Sequence, residues 1–398
     1  MSRHAERYPT KSAGNRHLAL LRRIDELNTH FNGSLSFVNN WTYFSDNPSA
    51  EFDQLTRTGP YAGTLQAFTT GVRFRSRYSH LLASRTSTSR LWASDSERVI
   101  ETARHFAAGL FGLDWETSSL AELEVIPETV DRRADTLTPG DSCLRYIEDT
   151  EYGHDYGLRM LGRFQQSYIP LITDRLLSQH QNGALGSLTN MEVFGMQEMC
   201  GFETLVRGSS PWCAVFTEDD WDNFEYARDL VHYYRAGPGN PYAGAMGWLW
   251  LNATASLLRS GPEAGPFFFS FVHDGDIAPF LTALEILKDP IYDPSLPTAS
   301  AVADRVWRTS TVMTMGGRIT LERLTCPGSS QDPFIRININ DAVMPLPYCK
   351  SGPGASCPLN QFVDFVQRRR GEVGDFAQVC GLDGDPGWIT FLHQGPTT

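Results

Sequence analysis

Apolar positions recur at helical spacing near the start of the chain, where Leu18, Leu21, Ile24 and Leu27 predict an amphipathic helix over residues 16–30. Further on, the short apolar segment Leu91-Trp92-Ala93 predicts a strand running into a helix that ends near residue 111. Val99, Ala103, Phe106 and Leu110 supply that helix's apolar face, and Ser94 followed by Glu97 fits a capping box at its start. Residues 266–272, PFFFSFV, form the continuous apolar run that a strand buried on both faces requires. Pro279, shortly after Asp276, then marks the first turn of a helix through Leu287. Between about 112 and 240 the pattern becomes polar, loop-rich and weakly helical. The pattern therefore predicts an α/β core formed by residues 1–111 and 241–398, with 112–240 as a smaller, mainly helical insertion.

Composition narrows the partners. The formal net charge is -12, with 34 Lys+Arg against 46 Asp+Glu, which disfavours general adhesion to nucleic acid or to an anionic membrane. An anionic substrate must then meet a locally positive pocket. Lysine occurs only at Lys11, Lys288 and Lys350, so nearly all the positive charge is arginine, which stays ionised and grips phosphate bidentately. No apolar run reaches the roughly 20 residues needed to span a bilayer, and the first 30 residues lack the apolar stretch of a signal peptide.

The seven cysteines point instead to an oxidising compartment. Cys349 and Cys357 flank the turn-rich segment KSGPGAS, and Cys200 and Cys213 bracket another loop-like stretch. Zinc is the competing use of such residues, but no CxxC or Cys/His cluster at ligand spacing is present. Asn32-Gly-Ser, Asn40-Trp-Thr and Asn252-Ala-Thr fit the acceptor pattern for N-glycosylation, which matters if the protein is secreted.

Arg3-His4-Ala5-Glu6-Arg7-Tyr8-Pro9 fits the pattern R-H-x-x-R-x-P. Four fixed positions of uncommon types match by accident in roughly one chain of this length per thousand. Two arginines flanking a histidine neutralise a bound phosphate while the imidazole attacks phosphorus in line, and they keep the ring unprotonated in acid. Two His-Asp pairs compete for a second role. His154-Asp155 lies in the polar stretch EYGHDYG and reads as a solvated loop. His273-Asp274 follows PFFFSFV directly, which puts it at a strand's carboxyl end, where open α/β sheets place their sites. There His273 can donate to a phosphate oxygen and Asp274 can protonate the leaving alcohol. Arg98, in the first turn of the helix after Leu91-Trp92-Ala93, is placed to clamp phosphate at a helix amino end.

With these residues placed, the chain resembles the histidine acid phosphatases, most closely fungal phytase B and the yeast-type repressible secreted acid phosphatases. Segments carrying the likeness include SRHAERYPT, FNGSLSFVNNWTYF, SERVIETARHF, YYRAGPGNP, FSFVHDGDI and INDAVMPLPYCKSGPGASCPL. The resemblance implies a phosphoglycerate-mutase-like α/β core with a helical insertion and no metal or organic cofactor. It also implies a phosphoric monoester hydrolase, an acid phosphatase or 3-phytase, working through a phosphohistidine. His4 falls on the nucleophile, Asp274 on the proton donor, and Arg3, Arg7, Arg98 and His273 on the phosphate ligands. Arg228 lies in the region resembling the substrate rim, where some relatives are acidic, so an arginine there is expected to favour highly charged substrates such as phytate. The disulfides implied are Cys143–Cys380, Cys200–Cys213 and Cys349–Cys357, leaving Cys326 over. The expected partners are small phosphate monoesters, with a homo-oligomer left open and secretion implied by the likeness alone.

The phosphoglycerate mutases share the first motif but typically carry His-Gly at the second histidine, so His273-Asp274 argues for hydrolysis. Three positions differ from the family's pattern. Ala5 stands where glycine is usual, and its methyl is expected to crowd the loop or the substrate. Gly275 and Asp276 stand where Thr-Asn or Thr-Asp is commoner, so a substrate contact is expected to be missing. Met1 lies two residues before Arg3, so the strand that would hold His4 is expected to be absent. A truncated or inactive chain that binds phosphate without turnover is the alternative reading.

Overall fold

The computed structural model describes residues 1–83, 88–178, 182–326, 333–385 and 387–394. Among them, four parallel strands form the central sheet: β1 (Ser2–Arg3), β2 (Ser89–Ser94), β3 (Ala121–Ile126) and β4 (Phe269–Val272), in the order β1-β4-β2-β3. The register pairs Arg3 with Val272, Ala93 with Phe271, and Ser94 with Ile126, so all four strands end at nearly one level. Side chains alternate across β2: Leu91 and Ala93 enter one core while Trp92 enters the other, and all three are fully buried. Burial on both faces explains why the interior strand β4 reads as a continuous apolar run.

On the Leu91 side, the helices Gly63–Arg77 and Glu97–Phe111 cross at a pair of glycines. A Cβ on Gly71 would stand 2.1 Å from the Phe106 carbonyl oxygen, and one on Gly109 2.1 Å from that of Phe68. Only glycine permits so close an approach. The Trp92 side carries the larger core, which is continuous with the helices Tyr156–Ser178, Asn190–Arg207, Glu218–Arg235, Ala243–Ser260 and Asp274–Leu284. A second, antiparallel sheet follows: β5 (Ile319–Leu324), β6 (Phe334–Ile339), β7 (Ala342–Val343) and β8 (Cys357–Pro358).

Several expectations are corrected. The strand expected to be missing is present: β1 pairs with β4 on one side, and Ser2 bridges Arg318 on the other. Strand β3 lies inside the 112–240 segment assigned to the insertion but belongs to the sheet, so the helical layer begins after Ile126. That layer is strongly helical. Thr189 with Glu192 and Thr217 with Asp220 form reciprocal capping boxes, local signals that outweigh the weak apolar periodicity. Ser94 ends β2; Ser96 is the N-cap of the next helix and makes no side-chain cap. Pro279 sits inside its helix, which opens at Asp274 with His273 as N-cap and ends at Leu284. The first long helix spans Lys11–Glu26, and its buried stripe is Ala13, His17, Leu20 and Ile24.

Disulfides join Cys143 to Cys380, Cys200 to Cys213 and Cys349 to Cys357, and Cys326 keeps a free thiol.

Candidate active site

The carboxyl ends of the four strands supply one half of the pocket. Residue His4 leaves β1 with its N–H donating to the Val272 carbonyl at 2.9 Å and its own carbonyl accepting from Gly316 at 2.8 Å. Its Nδ1–H donates to the Ala5 carbonyl at 2.8 Å, a contact that leaves the lone pair on Nε2. Burial lowers the imidazole's proton affinity well below the ordinary range, and the charges of Arg3, Arg7, Arg98 and His273 lower it further. The ring is therefore a neutral base in acid. Glu6 departs the other way: burial outweighs the pull of Arg3 and raises its carboxyl to about 7.

Arg98, the second residue of its helix, donates from Nη2 to His273 Nδ1 at 3.3 Å. An arginine can only donate, so Nδ1 is the accepting nitrogen and Nε2–H points to Glu128 Oε1, 2.7 Å away. Burial alone would raise Glu128, but the hydrogen bond from His273, with those from Ser94 and Ser96, brings it down to about 2. Thr102 ties the two phosphate-facing segments together by accepting from the Ala5 N–H and donating to the Arg98 carbonyl.

Asp274 opens the next helix, and its Oδ2 accepts from Arg3 Nη2 at 2.6 Å. Burial opposes ionisation, yet the guanidiniums of Arg3 and Arg235 hold the carboxyl well below the usual range. The other half of the pocket comes from the helical layer. Arg228 Nη2 lies 3.4 Å from His232 Nε2, and its Nη1 faces Glu198 at 3.8 Å. Arg16 and His17 approach the same Glu198 carboxylate at 3.3 and 3.4 Å. Among the described residues, the Nε–H groups of Arg3, Arg7, Arg98 and Arg235 are buried with no hydrogen-bond partner, as are those of Arg16, Arg318 and Arg323. The guanidiniums of Arg3, Arg7 and Arg98 act together on one neutral imidazole, an arrangement that an anion with several oxygens completes.

The family model described as "Histidine phosphatase superfamily (branch 2)" matches residues 1–340. The chain belongs to this superfamily. A phytase of Candida albicans is 36% identical over 394 residues, covering 98% of this chain and 82% of its own. A repressible acid phosphatase of Kluyveromyces lactis is 32% identical, covering 96% and 78%. The crystal structure of the phytase from D. castellii superposes with a TM-score of 0.88 at 29% identity, over 98% of this chain and 82% of that one. The multiple inositol polyphosphate phosphatase of Bifidobacterium longum shares the fold at 13% identity, with a TM-score of 0.65.

Within this histidine phosphatase, the residues His4, Arg3, Arg7, Arg98, His273 and Asp274 come together in one pocket. His154 and Asp155 do not; they pair with each other at 2.9 Å on the surface. Ala5 does not crowd the pocket, because its methyl turns away into a small cluster with Leu55 and Ala67. Asp276 accepts from the His273 N–H at 2.9 Å and so completes the helix cap. Tyr233 and Tyr234, which follow Arg228 in the chain, are buried core residues. Sequence reasoning missed Glu128, Glu198, His232 and Arg235. One signal was available: residues 228, 232 and 235 are spaced i, i+4, i+7, a polar stripe along one face of an otherwise buried helix.

Proposed function

We propose that this histidine phosphatase is an acid phosphatase hydrolysing phosphate monoesters, phytate among them, through a phosphohistidine on His4. The observation that carries the reading is the neutral His4 ring with its Nε2 lone pair free, set among the guanidiniums of Arg3, Arg7 and Arg98. In the first step Nε2 attacks phosphorus; the P–N bond forms, the ester P–O bond breaks, and Asp274 gives its proton to the departing alcohol. In the second step water attacks phosphorus, the P–N bond breaks, and the proton lost by water returns to Asp274. Arg3, Arg7, Arg98 and His273 hold the phosphoryl oxygens where charge develops.

In the empty site Asp274 is a carboxylate held by Arg3. A bound phosphate competes for that guanidinium, and its negative charge favours the acid form, so the proton arrives with the substrate. Activity belongs in acid for the same reason. Arg228, about a third exposed at the helical side, is the residue favouring substrates with several phosphates, in keeping with the relatives named as phytases. Secretion fits the three disulfides and the exposed Asn32 and Asn40 acceptor sites.

Acid quenching during turnover followed by a rise in pH tests the mechanism. A base-stable phosphoryl group is expected on His4 and absent from His4→Ala; equal labelling of the alanine variant overturns the assignment.

A further inference from the structure

Asp274 stands between two guanidiniums arriving from opposite halves of the pocket. Arg3 on β1 reaches Oδ2 at 2.6 Å, and Arg235, the last residue of the helix Glu218–Arg235, faces Oδ1 at 3.8 Å. Arg3 is pinned by a second contact, to the Met313 carbonyl. Arg235 is held by its backbone instead: its carbonyl accepts from the Tyr146 hydroxyl at 3.0 Å, while Nε is buried without a partner. Gly275 lies beside this guanidinium; a Cβ on it would be in ordinary van der Waals contact with Arg235 Nη2, at 3.5 Å.

We propose that Arg235 is a positioning residue for Asp274, holding the second carboxylate oxygen and setting the pH range over which that group delivers its proton to the leaving alcohol. The proposal rests on the reading of Asp274 as the proton donor and extends it to the helical layer.

The groups facing Asp274 can be enumerated by element. The β1 segment and the residues after it contribute Arg3, His4 and Arg7, the helical layer His232 and Arg235, and the helix opened by Asp274 itself contributes Asp276 and the cap His273. Glu128 and Asp141 lie beyond Asp276. Burial first, then the arginines, against the opposing pull of Asp274, bring His232 down to about 3, and His4 is likewise neutral. Burial, then Asp141, keeps Asp276 protonated. Three guanidiniums therefore supply the positive field at Asp274: Arg3 and Arg235, which face its two oxygens, and Arg7 further off. An opposite charge within 4–6 Å shifts a carboxyl by about 1–3 units. Arg235 is a third exposed and makes the longer contact, so its share is expected at about one unit.

The sign is fixed. Removing a cation beside Asp274 makes the carboxyl hold its proton to higher pH, so the alkaline limb of kcat, which reports the enzyme–substrate complex in which Asp274 is protonated, moves upward. The test is that profile for an alkyl phosphate with the parent enzyme, Arg235→Gln, Arg235→Met and Arg235→Lys. The substrate's own ionisation is common to all four and cancels in the comparison. Both neutral variants are expected to move the limb up by about one pH unit, with a smaller movement for an aryl phosphate, while lysine keeps it in place. An unmoved limb in the folded neutral variants, or the same movement with lysine, overturns the proposal. Asp274→Asn, run alongside, separates the two levels: full turnover of the alkyl phosphate by that variant would refute the donor assignment itself. A crippled asparagine variant together with an unmoved limb in the Arg235 variants refutes the positioning role alone.

Discussion

The two halves of the pocket are built by different rules. On the sheet side, each reactive group lies within a few residues of a strand's carboxyl end: His4 after β1, Arg98 after β2, Glu128 after β3, and His273 with Asp274 after β4. Their places are set by backbone hydrogen bonds of the sheet and by two helix amino ends, so their geometry follows from register. On the helical side, Glu198, Arg228, His232 and Arg235 project from the middles and ends of helices, and their places depend on how those helices are rotated and packed. On the proposed mechanism the sheet half holds the groups that make and break bonds, whereas the helical half adjusts charge around them. Chemistry and selectivity are thereby separable by mutation.

The sharpest test of this division is His4→Ala on the sheet side, expected to lower kcat by at least about a thousandfold, as removal of a nucleophile generally does. Asp274→Asn comes next, with an expected loss of about 10²-fold or more on alkyl phosphates and a much smaller one on aryl phosphates, whose leaving groups need less protonation. Equal losses on the two substrates would mean that Asp274 acts otherwise than as an acid. A substitution in the helical half should change ratios rather than turnover. Arg228→Glu is expected to lower kcat/KM for phytate relative to a simple aryl phosphate by about tenfold, one charge reversal near a polyanion. An unchanged ratio would remove Arg228 from substrate selection, and a collapse of turnover on both substrates would break the division itself.

The smallest expected effect is at Glu6, whose carboxyl is raised to about 7 and is therefore neutral in acid. Glu6→Gln should leave activity near pH 5 unchanged. Above 7, where the native carboxylate ionises beside Arg3 and Arg7, the glutamine variant should retain about two- to threefold more activity. A glutamine variant already altered at pH 5 would show that Glu6 acts through contacts rather than charge.

The same division governs what the sequence made legible. R-H-x-x-R-x-P, and His-Asp directly after PFFFSFV, are short contiguous segments whose spatial consequence follows from one strand and one turn, so the sheet half could be read from them. The choice between two His-Asp pairs turned on one local fact, the apolar strand before His273 and its absence before His154. Arg235 was not legible in that way. A helical arginine points into a pocket or into solvent according to packing partners such as Tyr146, which lies far away in sequence. Boundaries failed for a related reason. Strand β3 is AELEVI, an edge strand with only Ala121 and Ile126 buried, so the continuous apolar run that betrayed β4 is missing. The helical layer looked weak because its capping boxes, rather than its apolar periodicity, mark where the helices begin.

The pairing of β1 with β4 also dictates an order of events during synthesis. His4 is made early, but the carbonyl that receives its N–H belongs to Val272, and the amide that meets its carbonyl belongs to Gly316. The acceptor for the Arg3 side chain, at Met313, is equally late. A nascent chain therefore carries His4 through the synthesis of 312 further residues, to Gly316, before both backbone partners exist to hold it. The site around His4 can close only once the loop before β5 has emerged, so a growing chain has no complete site before then.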